Sequence, residues 1–183
     1  MNREEAISLV KENITKENLF KHILAVEAIM RGIAKHLNED VETWGLVALL
    51  HDIDYEKTEN DPKNHTIIAE NLLKGKVDEK IIHAIKSHNF ENTGVTPETK
   101  MEKALIAADA ISGLIVAAAL IIPSKKLKDV KVESVGKRFK EKDFARKCSR
   151  ERMLVCEHIG IPKEKFFEIA LEAMQRISEE LGL

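Results

Sequence analysis

Six side chains that can bind a metal ion or carry a proton are spread along the first two thirds of this 183-residue chain: His22, the adjacent pair His51-Asp52, His65, His88 and Asp109. Neutral imidazole and carboxylate together suit divalent iron, manganese, cobalt, nickel or zinc, and no thiolate belongs to the set. Six donors exceed the needs of one four-coordinate ion and fit two ions that share a bridging carboxylate, so one or two divalent transition-metal ions are expected. Taken singly, each residue has a plainer reading. Asp109 could be neutralised by an Arg or Lys, His22 could be a hydrogen-bonded core histidine, and His51-Asp52 could be an ordinary polar helix end.

The pair gains meaning from what precedes it. Leu46-Val47-Ala48-Leu49-Leu50 is an unbroken apolar run. Successive residues on a helix point about 100° apart, so His51 and Asp52 can converge on one target only where the chain leaves the helix. Asp109 raises a sharper question, because it lies among Leu105, Ile106, Ala107, Ala108 and Ile111. A carboxylate in such surroundings costs several kcal/mol to desolvate unless it is paired or coordinates a cation.

Helices must supply the scaffold. Eight Gly and four Pro leave few interruptions, which favours long helices over many short strands. Asn2-Arg3-Glu4-Glu5 reads as a capping box for a first helix, and Thr15-Lys16-Glu17-Asn18 opens a second. There His22 falls on one apolar stripe with Val26, Ile29 and Ile33. A third helix over 41–50 delivers His51-Asp52. After a polar loop, 54–64, His65 opens a helix with Ile68, Ala69, Leu72 and Leu73 facing inward. Asp78 caps the next, which carries Ile81, Ile82 and Ile85 and ends at His88. Pro97-Glu98 precedes a long helix that contains Asp109 and stops at Pro123. Between 124 and 148 the pattern fits both a strand (Val130-Lys131-Val132) and a helix (Val132, Val135, Phe139). Ser149 caps a helix that runs to about Gly160. Pro162 sets the first turn of the last one, whose stripe is Phe166, Ile169, Ala170, Ala173, Met174 and Ile177. The whole is an all-α domain of about eight or nine helices over residues 1–183, with a motif-bearing core at 18–122 and a basic segment with the C-terminal helices at 123–183.

Hydrophobic residues are 44% and charged residues 33% of the chain, and the net charge of −2 gives no sign of a nucleic acid polymer as partner. The charge is unevenly spread: residues 123–152 carry twelve Lys/Arg against five Asp/Glu. Lys125, Lys126, Arg138, Arg146 and Arg150 are candidates there for binding an anionic substrate. Residues 104–122 hold a single charge and approach the length of a membrane span, but their alanines, with Ser112 and Gly113, suit a buried central helix better. No signal-peptide pattern follows Met1, and Cys148 and Cys156 form neither a disulfide framework nor a zinc motif. A reducing cytoplasm is therefore the expected compartment. His36, His83 and His158 read as lying away from the site.

The order His22, His51-Asp52, His65, His88, Asp109 resembles the HD-domain superfamily of metal-dependent phosphohydrolases. The resemblance spans residues 22–109 and implies a compact HD-domain helical bundle. It places His22, His51, Asp52 and Asp109 at one metal, with Asp52 as the bridge, and His65 and His88 at a second. It implies hydrolysis of a phosphoester or phosphoanhydride, of a nucleotide or dinucleoside polyphosphate, with metal-bound hydroxide as nucleophile. His51 and Asp52 would be catalytic, and Asp54 is a candidate to orient water. Size and motif order are similar to the bacterial HD-type diadenosine tetraphosphate hydrolases. HD-type nucleoside monophosphatases often have an acid three residues after the His-Asp aspartate, where this chain has Tyr55. Two other classes use a comparable ligand set, the HD-fold di-iron oxygenases and the non-catalytic nucleotide-sensing HD domains. The implied partner is a small phosphorylated molecule, with no membrane and with the oligomeric state open.

Overall fold

A computed structural model describes residues 1–183, and every regular element in it is helical. In chain order these are α1 (Arg3–Asn13), α2 (Glu17–Leu37), α3 (Val41–Leu50), α4 (Tyr55–Thr58), α5 (Ile67–Leu73), α6 (Glu79–His88), α7 (Phe90–Thr93), α8 (Lys100–Leu120), α9 (Val132–Lys140), α10 (Arg150–Leu154), α11 (Lys163–Arg176) and α12 (Ser178–Leu181). Three of the twelve, α4, α7 and α12, are four-residue turns of helix, so nine longer helices remain, within the range the sequence pattern predicts.

Five of the helix starts are fixed by capping chemistry legible in the sequence. Asn2 and Glu5 form a capping box on α1, and Thr99 and Glu102 form another on α8. The Asp40, Asp78 and Ser149 side chains accept from the first-turn amides of α3, α6 and α10. The stretch 124–148 resolves in favour of the helix: Val132, Val135 and Phe139 lie on α9, and no strand forms. With no neighbouring strand, the alternation at 130–132 has nothing to pair with. The Ser149 helix is shorter than its apolar pattern suggests, passing at Val155 into a 3₁₀ turn that ends at Gly160 in the left-handed region.

One hydrophobic core of 46 buried residues runs from Ala6 to Leu181, so α9–α12 share the core of the preceding helices. The hub is α2, which packs against α3, α8 and α11. Val26, Ile29 and Ile33 on its inward stripe are fully buried, each worth about 1.5–3 kcal/mol relative to exposure. A Cβ at Gly32 would meet Ile169 Cγ2 at 3.2 Å, so the glycine sets how closely α2 and α11 approach. The other central element is α8. It is long and apolar enough to cross a membrane, yet 67% of that apolar stretch is buried inside the fold. Small side chains at Ala104, Ala107, Ala108, Ala118 and Ala119 let the surrounding helices close on it.

Candidate metal centre

Five elements bring the predicted donors together. His22 comes from the first turns of α2, His51 and Asp52 from the turn that ends α3, His65 from the turn before α5, His88 from the last residue of α6, and Asp109 from the middle of α8. His51 is the C-cap of α3, and the chain then turns through 51–54. That departure from the helix lets adjacent side chains face the same point. His51 is fully buried and Asp52 only 6% exposed.

Asp52 is the centre of the arrangement. Its Oδ2 lies 3.5 Å from Nε2 of His22 and 3.5 Å from Nε2 of His51. Its Oδ1 lies 3.4 Å from Nε2 of His65 and 3.5 Å from Nε2 of His88. Each carboxylate oxygen thus faces two imidazoles, which makes two triads that share one residue: His22, His51, Asp52 and Asp52, His65, His88. Asp109 joins the first, with Oδ1 3.2 Å from His22 Nε2.

The opposite edges of the four rings decide which nitrogen is free. His51 Nδ1 lies 2.7 Å from the Ala48 carbonyl and His88 Nδ1 2.6 Å from the Ile85 carbonyl. A carbonyl only accepts, so both Nδ1 atoms carry the proton. His65 Nδ1 donates to Asp54 Oδ1 at 2.8 Å. The Ser112 hydroxyl donates to the Asp109 carbonyl at 2.8 Å, which leaves it to accept from His22 Nδ1 at 3.2 Å. In their neutral state all four rings therefore turn a bare Nε2 toward two carboxylates. Lone pairs facing carboxylate oxygens repel, and in a neutral imidazole His51 Nε2 is buried with no hydrogen-bond partner at all. Divalent cations supply what this arrangement lacks, and rings held through Nδ1 are how proteins orient histidine ligands. The donor set fits a two-ion site.

Charge states without a cation show the same tension. Burial pushes His51 down to about 4, so it stays neutral. Burial also opposes ionisation of Asp109, but its contact with His22 prevails and holds the carboxyl at about 2. At His65 burial favours the neutral ring, yet Asp52 and Asp54 outweigh it and raise the imidazole to about 9. Protonated His65 then donates toward Asp52 and toward His88 Nε2, 3.1 Å away, and so takes the place of a cation.

Asp54 has a different role from the catalytic one expected of it. It is fully buried, and its Oδ2 accepts from the backbone amides of Thr66 and Ala69 at 2.8 Å each, while Oδ1 holds His65. Three bonds thus tie the carboxylate to the start of α5 and to the His65 ring, so Asp54 orients His65 and does not line the open site. Asn89 acts similarly, donating to the carbonyls of Pro62 and His65 at 3.0 and 2.9 Å.

Five of the six donors, all but the fully buried His51, form the floor of a cavity of about 680 Å³ whose walls include Lys16, Asn18, Tyr55, Lys147, Ser149 and Arg152. None of the five cations proposed from the sequence reaches it. Lys125 and Lys126 are exposed beyond the end of α8. Arg138 pairs with Glu141 and stacks on Phe144. Arg146 is 77% exposed beside Asp143. Arg150 donates to six backbone carbonyls between Arg138 and Cys148, shaping the turns after α9. The basic run does reach the cavity, through Lys147 and Arg152, but nothing in the sequence marks which of its twelve cations turn inward. Lys16 was also missed, hidden at the start of α2. His83 bonds to Glu102 and the exposed His36 and His158 stand apart, as expected.

The HD domain family model matches residues 19–114. Ribonuclease Y of Salinispora arenicola (strain CNS-205) is 28% identical over 169 residues, covering 90% of this chain and 28% of its own length. Ribonuclease Y of Thermotoga maritima is 28% identical over 169 residues, covering 90% of this chain and 33% of its own. For Ribonuclease Y of Listeria monocytogenes the figures are 28% over 170 residues, 90% and 32%. The chain thus spans about a third of the length of these curated relatives. No solved structure gives a significant match.

Proposed function

The chain belongs to the HD-domain superfamily of metal-dependent phosphohydrolases, and from that premise we propose that it hydrolyses a phosphoester or phosphoanhydride bond of a nucleotide-type substrate at the Asp52 centre. One observation carries the reading: each oxygen of Asp52 faces the Nε2 atoms of two histidines, a donor arrangement that would suit two divalent ions. His22, His51, Asp52 and Asp109 would hold one divalent ion, and Asp52, His65 and His88 the other, with iron, manganese, cobalt, nickel and zinc all suited to the donors. Bound there, such ions lower the pKa of a water and polarise a phosphoryl oxygen.

The chain's own residues do the rest. Asp54, Ser112 and the carbonyls of Ala48 and Ile85 keep four rings aimed without reorganisation during turnover. Lys147 and Arg152 give the walls positive charge to draw in and hold phosphate oxygens, while Lys16 is paired with Glu59 in the same wall. Tyr55, 41% exposed and edge-on to His65 at 5.5 Å, offers a ring face to a base or leaving group. A second reading, an RNA phosphodiester as substrate, draws support from the relatives named Ribonuclease Y.

The test is metal analysis of protein purified without oxygen, followed by assay with Mn²⁺, Fe²⁺, Co²⁺ or Mg²⁺. Substrates would be dinucleoside polyphosphates, nucleoside monophosphates and a short single-stranded RNA. Turnover of the dinucleoside polyphosphates supports the first reading, and cleavage of the RNA alone supports the second. Metal-free protein, or no hydrolysis with any ion, would reject both. Oxygen consumption by an iron form would point instead to oxygenase chemistry, and nucleotide-induced thermal stabilisation without turnover to a sensor.

A further inference from the structure

Arg152 is the one guanidinium in the cavity wall, and it comes from α10, beyond residues 19–114 that match the family model. Its position is held from three sides. Nη1 lies 3.0 Å from both carboxylate oxygens of Glu91, Nη2 donates to the carbonyl of His88, and the group sits 5.7 Å over the Phe90 ring. A guanidinium has five N–H donors, and these contacts leave Nε and one Nη2 hydrogen unspent. Nη2 also stands 3.9 Å from Asp109 Oδ2, next to the first triad. Glu91 is half exposed, so water screens its hold on the Arg152 charge. A cation at Asp109 would take up the other negative charge nearby. What is left is a pre-oriented fork, 22% exposed, in the cavity wall beside Asp109.

The chemistry of that fork distinguishes kinds of phosphate. An internal phosphodiester has two non-bridging oxygens and one negative charge. A terminal phosphoryl group has three such oxygens and about −1.5 to −2 charges near neutral pH, and a phosphoanhydride chain places a further anionic group alongside. Arginine suits such oxygens because its planar donors match them in pairs.

We propose that Arg152 binds a phosphoryl oxygen beyond those held at the Asp52 centre, so that the site favours terminal phosphoryl groups and phosphoanhydride chains over internal phosphodiesters. This rests on the reading of the site as a phosphohydrolase centre and narrows its substrate class.

The experiment compares wild type, Arg152→Gln and Arg152→Lys in the full chain loaded with Mn²⁺. Metal per chain is measured first, then Kd for orthophosphate, pyrophosphate and dimethyl phosphate, then turnover of p-nitrophenyl phosphate and bis(p-nitrophenyl) phosphate. Arg152→Gln is expected to keep its metal and to weaken orthophosphate and pyrophosphate about tenfold or more, the scale of a lost charge-assisted hydrogen bond. Dimethyl phosphate should change less than about threefold, and kcat/KM should fall mainly for the monoester. Arg152→Lys, which keeps the charge but not the fork, should fall between and serves if the Gln variant does not fold. Equal losses for monoanionic and dianionic ligands, or loss of metal before loss of anion affinity, would overturn the proposal and make Arg152 a brace for His88 and Asp109. Unchanged orthophosphate binding in either variant would overturn it too. If wild type hydrolyses no ester, the hydrolase reading fails while the orthophosphate comparison still decides whether Arg152 is an anion-binding group.

Discussion

Glu27 and Asp52 are both buried carboxylates, 3% and 6% exposed, yet the fold treats them in opposite ways. Around Glu27 the charge is answered in advance. Arg3 donates to its two oxygens through Nε and Nη2 at 2.6 and 2.8 Å, Arg31 Nε adds a third contact at 2.8 Å, and Arg31 continues to Glu42. Around Asp52 there is no Arg or Lys. It faces four imidazole nitrogens at 3.4–3.5 Å, each with its own proton on the far side of the ring. The same desolvation cost is met by resident cations in one place and left to an incoming cation in the other. The first arrangement ties α1 to α2 and is complete within the chain. The second is what a binding site looks like from its electrostatics alone.

That contrast can be broken most sharply at Asp52. Asp52→Ala should lower kcat/KM by about a thousandfold or more, since several kcal/mol of transition-state stabilisation depend on the shared ions. Metal per chain should fall with it. Retained metal and turnover would show that Asp52 is no more than a helix-end acid. The mirror experiment is Glu27→Ala, which should cost about 2–3 kcal/mol of stability by denaturant titration through the loss of charge-assisted bonds to a buried acceptor. It should leave metal content untouched. A Glu27 variant that lost metal instead would erase the distinction between the two centres.

Asp54→Asn offers a finer cut, because it tests an acid that touches His65 but not the cavity. It should weaken metal binding about 10- to 100-fold, as for other partners that orient a ligand histidine, with the loss confined to the ion at His65 and His88. Two-step metal titration would separate the sites, and equal weakening of both steps would contradict the assignment.

The smallest effect expected is with pH, and its sign follows from His65. In the metal-free protein Asp52 and Asp54 raise this imidazole from 6.5 to about 9. Its protonated form then stabilises the fold fully below pH 6.5, and that contribution is lost as pH rises through about 9. The proton and the metal compete for the same Nε2. Metal affinity should therefore climb as pH rises toward 9, and metal-free protein should lose stability over the same window. His51, depressed to about 4, acts in the opposite sense: its neutral state favours the fold above pH 6.5 and that gain fades as pH falls through 4. Thermal melts with and without chelator from below pH 4 to above pH 9 would read both effects. Parallel curves for the two forms would contradict competition at His65.

Much of the centre is visible before folding is considered. His51-Asp52 closes an apolar run, His22 continues the stripe of Val26, Ile29 and Ile33, and Asp109 lies inside an alanine-rich helix that becomes the centre of the core. Asp54 was harder to place. Two residues past Asp52 in a polar stretch, it resembles a solvated loop acid, and only the return of the chain at Thr66 and Ala69 buries it. The basic segment misled for a related reason. Arg150 and Arg152 are two positions apart in one sequence context, yet one donates to six carbonyls of a nearby turn and the other reaches the site.

Local chemistry in the sequence determined most of the helices, five of their starts, and which residues carry metal-binding donors, because caps and apolar periodicity act within a few residues. The tertiary structure decided which nitrogen of each histidine is bare, that Asp52 divides its oxygens between two pairs of rings, and that Arg152 faces the cavity while Arg150 does not. Those outcomes depend on side-chain directions at helix ends packed from distant parts of the chain, where a rotation of one residue, about 100°, is the difference between a ligand and a surface group.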